Sequence, residues 1–280
     1  MTTSPKSLKI CHVLLSRGFA GSERSTVESC NEQVKTHDVC LIIKKTHRKA
    51  GKSILDYLDS RVKVVEVSSF FVTQYQIQKE LAKFDPDVIH CHLRRATRLV
   101  SKMNTRAVSI STLHIGVNGK QFHLMDGLVC NARWQVASIA KDYKGLVHKA
   151  SNSLTPHRRL DSIEKQQLRA KFGFSDSQMI IGAVGRFHPS KAWDTLIEAY
   201  QKMPDKKQSV LAFYGSGSLE ARLKKQGAGE ESIQFLGYQD NIKDIYQILD
   251  LLVCPSRFEP LPRVMLEGYD AGVPIIASNA

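Results

Sequence analysis

Two carboxylates, Glu259 and Glu267, sit in the segment Cys254-Pro255-Ser256-Arg257-Phe258-Glu259-Pro260-Leu261-Pro262-Arg263-Val264-Met265-Leu266-Glu267, with seven residues between them. On one continuous helix they would stand ~12 Å apart along the axis. That is too far for an acid and a base acting on a single bond. The spacing suits two acceptors that read separate parts of one long ligand, such as a sugar and a ribose; two solvated glutamates are the plain alternative. Upstream, Gly185-Arg186-Phe187-His188-Pro189-Ser190-Lys191 sets two cations five positions apart ahead of a helix. A planar guanidinium fork and an ammonium point charge together suit a diphosphate, although surface cations are often merely solvated. Gly215-Ser216-Gly217-Ser218-Leu219-Glu220 begins like a dinucleotide fingerprint but has Glu220 at its third glycine position, so it argues only weakly for NAD.

In the first half, Ser16-Arg17-Gly18-Phe19-Ala20-Gly21-Ser22-Glu23-Arg24 follows a strand and opens a helix. Small residues there let the backbone approach an anion at the helix N-terminus, or they form an ordinary turn with a serine cap. His90 and His92 alternate along a strand and so share a face, but two histidines without a third ligand are not a metal site. Asp85-Pro86-Asp87 has the spacing of a metal-binding pair, yet it precedes a strand and would lie at the wrong edge of a sheet.

The elements that must position these groups alternate. Strands are predicted over 9–15, 39–43, 62–67, 88–92, 107–113 and 128–130, then 179–184, 209–214, 233–236, 251–254 and 274–277. Helices are predicted over 22–35, 73–84 and 133–143, then 191–203, 219–226, 242–249 and 263–271, and Asp161-Ser162-Ile163-Glu164 has a capping-box pattern that opens another. Such alternation means doubly wound parallel sheets, an α/β fold, with ligands beyond the carboxyl ends of the strands. The polar stretch Ser151-Asn152-Ser153-Leu154-Thr155-Pro156 reads as a linker, which gives domains over 1–155 and 156–280. The last predicted strand ends three residues before the chain does, so the second domain is expected to be compact or cut short.

Composition narrows the class. The 280 residues are 42% apolar and 24% charged, which excludes wholesale disorder and fibrous architectures. No apolar run reaches the ~18 residues of a membrane span. The short polar N-terminus lacks the apolar core of a secretory signal, so a cytoplasmic protein is expected. The six cysteines show no CxxC spacing, and Cys11, Cys40, Cys130 and Cys254 fall in or beside apolar runs, as reduced thiols that pack like small apolar residues. Of the net charge of +13, residues 1–150 carry +12 and residues 151–280 carry +1. A basic half beside a neutral one suggests two domains with different partners, the basic one drawn to an anionic surface. Nothing resembles a nucleic-acid-binding motif, so no nucleic-acid partner is expected.

Taken together, Gly185-Arg186 with Lys191, the pair Glu259 and Glu267 within their proline-rich frame, and Ala271-Gly272-Val273-Pro274-Ile275-Ile276-Ala277-Ser278 resemble the retaining nucleotide-sugar glycosyltransferases of family 4. Ala20-Gly21-Ser22-Glu23-Arg24 is similar to that family's Gly-Gly-x-Glu-Arg loop. Pro86-Asp87-Val88-Ile89-His90-Cys91-His92 and Ser111-Thr112-Leu113-His114 are similar to its two His-bearing strands. The resemblance implies the GT-B fold, two facing Rossmann-like domains with the active site in the cleft. It implies transfer of a hexose-type sugar from a nucleoside diphosphate, most commonly UDP, to a glycan or lipid-linked acceptor with retention, as in lipopolysaccharide and cell-envelope synthesis, with no metal or other cofactor. By the same resemblance Arg186 and Lys191 would neutralise the diphosphate, and Glu267 would accept from the ribose. Glu259 would meet the donor sugar, Leu261 would join the donor-binding set, His114 would sit at the reacting centre, and Gly21 would let the backbone close on the phosphates. A basic first domain on the acceptor side then suits a peripheral protein on the cytoplasmic face of an anionic membrane. The chain departs from the pattern at Ala20, Ala192 and Pro262, where the family has glycine, and family members continue further beyond the last motif. A truncated, non-catalytic binding subunit of the same fold is therefore the rival expectation.

Overall fold

Runs of β-branched residues that alternate with amphipathic ones fold as parallel strands joined by helical crossovers. The computed structural model describes residues 6–49, 51–68, 71–117, 119–152, 154, 156–259 and 261–279. The chain divides into two units, Met1–Asn152 and Ser153–Ala280. Thr155, at the expected boundary, and Pro260 of the proline-rich loop lie outside the described residues.

The first unit runs β1 (Lys9–Leu14), α1 (Gly21–Gln33), β2 (Asp38–Lys44), β3 (Lys63–Val67), α2 (Thr73–Phe84), β4 (Val88–His92), α3 (Leu93–Val100), β5 (Val108–Leu113), β6 (Gly127–Cys130), α4 (Arg133–Ala137) and β7 (Leu146–Lys149). Its sheet has the order β3-β2-β1-β4-β5-β6-β7, every pairing parallel. Alternate residues of the central strands enter cores on opposite faces. Cys11, Val13, Ile42, Ile89 and Cys91 pack on one side, and Leu14, Leu41 and Ile43 pack with Val27 and Cys30 of α1 on the other. Each fully buried aliphatic side chain contributes about 1.5–3 kcal/mol. All six cysteines are free and buried, and burial pushes the Cys30 and Cys91 thiols up, so they serve as packing groups.

The second unit runs α5 (Ser162–Lys171), β8 (Met179–Val184), α6 (Trp193–Gln201), β9 (Ser209–Tyr214), α7 (Glu220–Gln226), β10 (Ile233–Phe235), α8 (Ile242–Tyr246), β11 (Leu251–Cys254), α9 (Arg263–Ala271) and β12 (Ile275–Ala277). Its parallel sheet has the order β10-β9-β8-β11-β12. The expected capping box opens α5: Asp161 accepts from the Glu164 N–H at 2.8 Å, and Glu164 accepts from the Asp161 N–H at 3.0 Å. In both sheets the strand order reverses at one place, β1/β4 and β8/β11. There the flanking loops diverge and leave a crevice.

Several elements depart from the sequence expectation. α3 follows β4 without a linker because Leu93 takes a left-handed backbone, φ 66°, which turns strand into helix with no glycine or capping residue to announce it. β7 has no buried residue, so it lacks the apolar signature of a strand. α4 stops at Ala137, where the Ser138 hydroxyl donates to the Gln135 carbonyl. α6 starts at Trp193, not Lys191, because Pro189–Lys191 forms a 3-10 turn and Ala192 is left-handed at φ 54°. Among the described residues no helix is long and apolar enough to cross a membrane.

Candidate functional site

The crevice of the second unit is built by the loops after β8 and β11. The 3-10 turn releases Lys191 from the helix, and its ammonium donates to Glu259 Oε2 at 2.5 Å, with side-chain exposures of 15% and 23%. Arg257 fastens the two loops. Its guanidinium forks onto both oxygens of Asp194 at 3.0 Å and also donates to the Pro189 carbonyl at 2.9 Å, while its backbone N–H donates to the Ser190 carbonyl. That fork holds the Asp194 carboxyl below its ordinary range. The Trp193 indole donates to the Arg186 carbonyl at 3.0 Å, which fixes the backbone beneath the exposed Arg186 side chain.

Glu267 lies in the first two turns of α9, 6% exposed, and accepts from the Tyr246 hydroxyl at 2.8 Å, with Arg263 Nε at 4.0 Å. The two sequence-paired glutamates are thus held separately, one by a lysine and one by a tyrosine. Pro262 caps α9 and so brings no N–H to its first turn. Leu261, half-buried, occupies the bend just before it. A cavity of about 100 Å³ opens among Cys254, Ser256, Glu259, Pro262 and Met265. The Gly-Ser-Gly after β9 serves packing: a Cβ on Gly215 would stand 2.0 Å from the Gly185 carbonyl oxygen, and one on Gly217 2.4 Å from that of Phe187. Those glycines let two loops touch backbone to backbone, which accounts for them without a dinucleotide.

In the first unit, Gly21 is the exposed first residue of α1. Glu23, buried, accepts from the Ala20 N–H and the Ser22 hydroxyl, both at 3.0 Å, and from the Ser16 hydroxyl, so it shapes the β1–α1 turn. The Gly18 N–H donates to the His47 carbonyl at 2.7 Å and joins this turn to the basic loop after β2. Lys44, at the end of β2, has its stem buried, and burial together with the positive charges of Arg95 and Arg17 pushes its pKa down. Three cations from three different elements thus converge at the carboxyl edge. Phe71, two residues before α2, and Tyr75, in its first turn, are exposed beyond β3. Asp85 and Asp87 lie at the amino edge, where Asp87 accepts from the Lys9 N–H at 2.8 Å.

A set of histidines fills the β1/β4 switch point. His12 Nδ1 lies 2.9 Å from His92 Nε2, His92 Nδ1 lies 3.1 Å from His114 Nε2, and His12 Nε2 lies 2.7 Å from Gln33 Oε1. His90 Nε2 bonds Thr112 Oγ1 at 2.6 Å and stacks on His92. Desolvation lowers the pKa of His12 and of His114 to about 4, and those of His90 and His92 are lowered too. The expectation that His90 and His92 lack a third imidazole is corrected, because His12, opposite His90 in the sheet register, brings one nitrogen of each ring within 4.8 Å of the others. Both His12 nitrogens and His90 Nε2 are engaged in hydrogen bonds. His12, Gln33 and Asp194 escape sequence reasoning, whereas Lys44 stands in a basic run and Arg257 within the proline-rich motif. For His12 the advance signal is its polarity within an apolar strand.

Residues 164–280 match the family described as Glycosyl transferases group 1. The uncharacterized glycosyltransferase MJ1607 of Methanocaldococcus jannaschii is 28% identical over 226 residues, which cover 69% of this chain and 57% of that protein. The lipopolysaccharide core biosynthesis glycosyltransferase LpsD of Rhizobium meliloti is 27% identical over 221 residues, 76% of this chain and 61% of that protein. The chain thus spans about three fifths of the length of these curated relatives. The crystal structure of Anabaena Alr3699/HepE in complex with UDP-glucose superposes with a TM-score of 0.82 at 16% identity, over 98% of this chain and 81% of that one. At that identity the likeness is one of fold: two parallel-sheet α/β units, the second with the smaller sheet, as in GT-B glycosyltransferases.

Proposed function

We propose that this chain transfers a hexose-type sugar from a nucleoside diphosphate, a UDP-sugar, to a glycan or lipid-linked acceptor of the cell envelope, with retention of configuration. The observation that carries the reading is the Lys191–Glu259 pair at the β8/β11 switch point, beside an exposed Arg186 and a buried Glu267. Arg186 and Lys191 neutralise the diphosphate, first bound and then departing. Glu267 accepts from the ribose hydroxyls and Glu259 from the sugar. Such catalysis consists of positioning and of stabilising charge on the leaving group. In the first unit Gly21 lends its backbone to the phosphates and His114 meets the transferred sugar. The names of the relatives support a sugar transfer, and the UDP-glucose complex of the fold neighbour supports the donor class.

The cations Arg17, Lys44 and Arg95 favour an acceptor that carries a phosphate or sits on an anionic lipid surface, and the exposed Phe71 and Tyr75 favour an interfacial position. The test is thermal unfolding of the whole chain with UDP, GDP and ADP, and of Arg186→Ala and Glu267→Gln. Saturation at a hundred times the dissociation constant should add about 2.7 kcal/mol. A shift with UDP that both variants lose is expected. A cooperative melt that no nucleotide moves would overturn the reading.

A further inference from the structure

The function above uses His114 and leaves the three histidines behind it unexplained. We propose that Gln33 sets the tautomer of His114 through His92 and His12, so that His114 Nδ1 can only accept a hydrogen bond, from a hydroxyl of the donor sugar. The inference rests on the reading of His114 as the residue that meets that sugar.

The direction follows from proton counting. The Gln33 carboxamide oxygen has no proton to give, so His12 Nε2, 2.7 Å away, must hold one. A neutral imidazole carries one N–H, so His12 Nδ1 has only a lone pair. It therefore accepts from His92 Nε2 at 2.9 Å. By the same rule His92 Nδ1 accepts from His114 Nε2 at 3.1 Å. The proton on His114 is committed inward, and the nitrogen the chain leaves over is Nδ1 as a bare acceptor.

The neutral state that the counting needs comes from burial. His12 is fully buried and His92 is 2% exposed, and their folded environment disfavours imidazolium. The His92 ring is held from the side, because His90 is tied to Thr112 and its ring stacks on His92 at 4.3 Å. The geometry is built by the fold alone: His12 comes from β1, His92 from the end of β4, His114 from just beyond β5 and Gln33 from the last position of α1. A site with an acceptor there selects a sugar that bears a hydroxyl over its deoxy analogue, because the deoxy sugar would leave the lone pair unpaired.

The test is two-bond ¹H–¹⁵N correlation spectroscopy of the whole chain labelled at histidine, near neutral pH. His12, His92 and His114 are each expected as the neutral Nε2–H tautomer. Gln33→Met, which keeps the shape and removes the acceptor, is expected to turn His114 into a mixture of tautomers while His90 keeps its form. His114 as Nδ1–H or imidazolium in the unaltered chain would overturn the proposal without any variant. An unchanged His114 in folded Gln33→Met would do the same. So would stoichiometric uptake of Zn²⁺, since ligation takes the lone pairs that the chain of rings uses. The UDP-induced thermal shift, measured on the same sample, separates the two readings. Correct tautomers without a shift would sink the nucleotide-sugar function and leave the tautomer chain standing, and a shift with wrong tautomers would do the reverse.

Discussion

At the scale of residues, the molecule keeps its unusual groups in unlike states. Lys191 and Glu259 are charged and paired at a partly open crevice, where a diphosphate could replace the carboxylate as the partner of the ammonium. His12, His90 and His92 are buried, which disfavours their charged form. Their burial has a consequence for acid stability whose sign is fixed. His12 titrates near 6.5 when exposed and near 4 in the folded chain. Between those values the unfolded chain binds the extra proton and the folded chain does not, so stability falls as pH drops through that window. For His12 alone the loss is about 3 kcal/mol. Urea unfolding followed by amide exchange in β1 and β4 should show protection fall from ~pH 7 to ~pH 5. Protection that stays constant over that range would mean these imidazoles are not held neutral.

At the scale of elements, the loops at the carboxyl ends of strands are placed by contacts that side-chain chemistry does not advertise. The loop of Arg186 is held from below by the glycines after β9, whose missing side chains admit the Gly185 and Phe187 carbonyls. A Cβ at Gly215 would lie 2.0 Å from backbone oxygen, a contact that no rotamer change relieves. Gly215→Ala should therefore destabilise the second unit by about 2 kcal/mol or more and weaken nucleotide binding, although residue 215 carries no group for a ligand. Calorimetric unfolding and UDP titration of this variant check both effects. A variant as stable as the parent would show that the two loops can part without loss.

At the scale of the whole molecule, the charge is divided as the labour is proposed to be. The first 150 residues carry +12, and the cations of the β1–α1 turn, the β2 terminus and α3 stand along one sheet edge. If that edge meets an anionic surface, the attraction must weaken as salt shortens the screening length, from about 30 Å at 0.01 M to about 3 Å at 1 M. Co-sedimentation with phosphatidylglycerol vesicles should fall steeply across that range, and uncharged phosphatidylcholine vesicles should retain little protein at either end. Equal retention at both ionic strengths would remove the electrostatic surface from the proposal.

Much of this was legible along the chain, because the signals are local. Continuous apolar runs, buried on both faces, specify strands such as β8 and β9, amphipathic spacing specifies α2, and the Asp161 and Glu164 pair specifies a helix start, each from contacts within a few residues. The motif residues Arg186, Lys191, Glu259 and Glu267 were legible for a related reason: short spacings carry them to the carboxyl ends of neighbouring strands once the parallel order is known. The sequence could not announce α3, whose start depends on one left-handed leucine, or β7, which buries nothing. Nor could it say that Glu259 would meet Lys191 or that His12 would join His92, 80 residues away. Those pairings exist because the strand order reverses between β1 and β4 and between β8 and β11. Sheet order is a property of long-range pairing, and only the folded chain selects it.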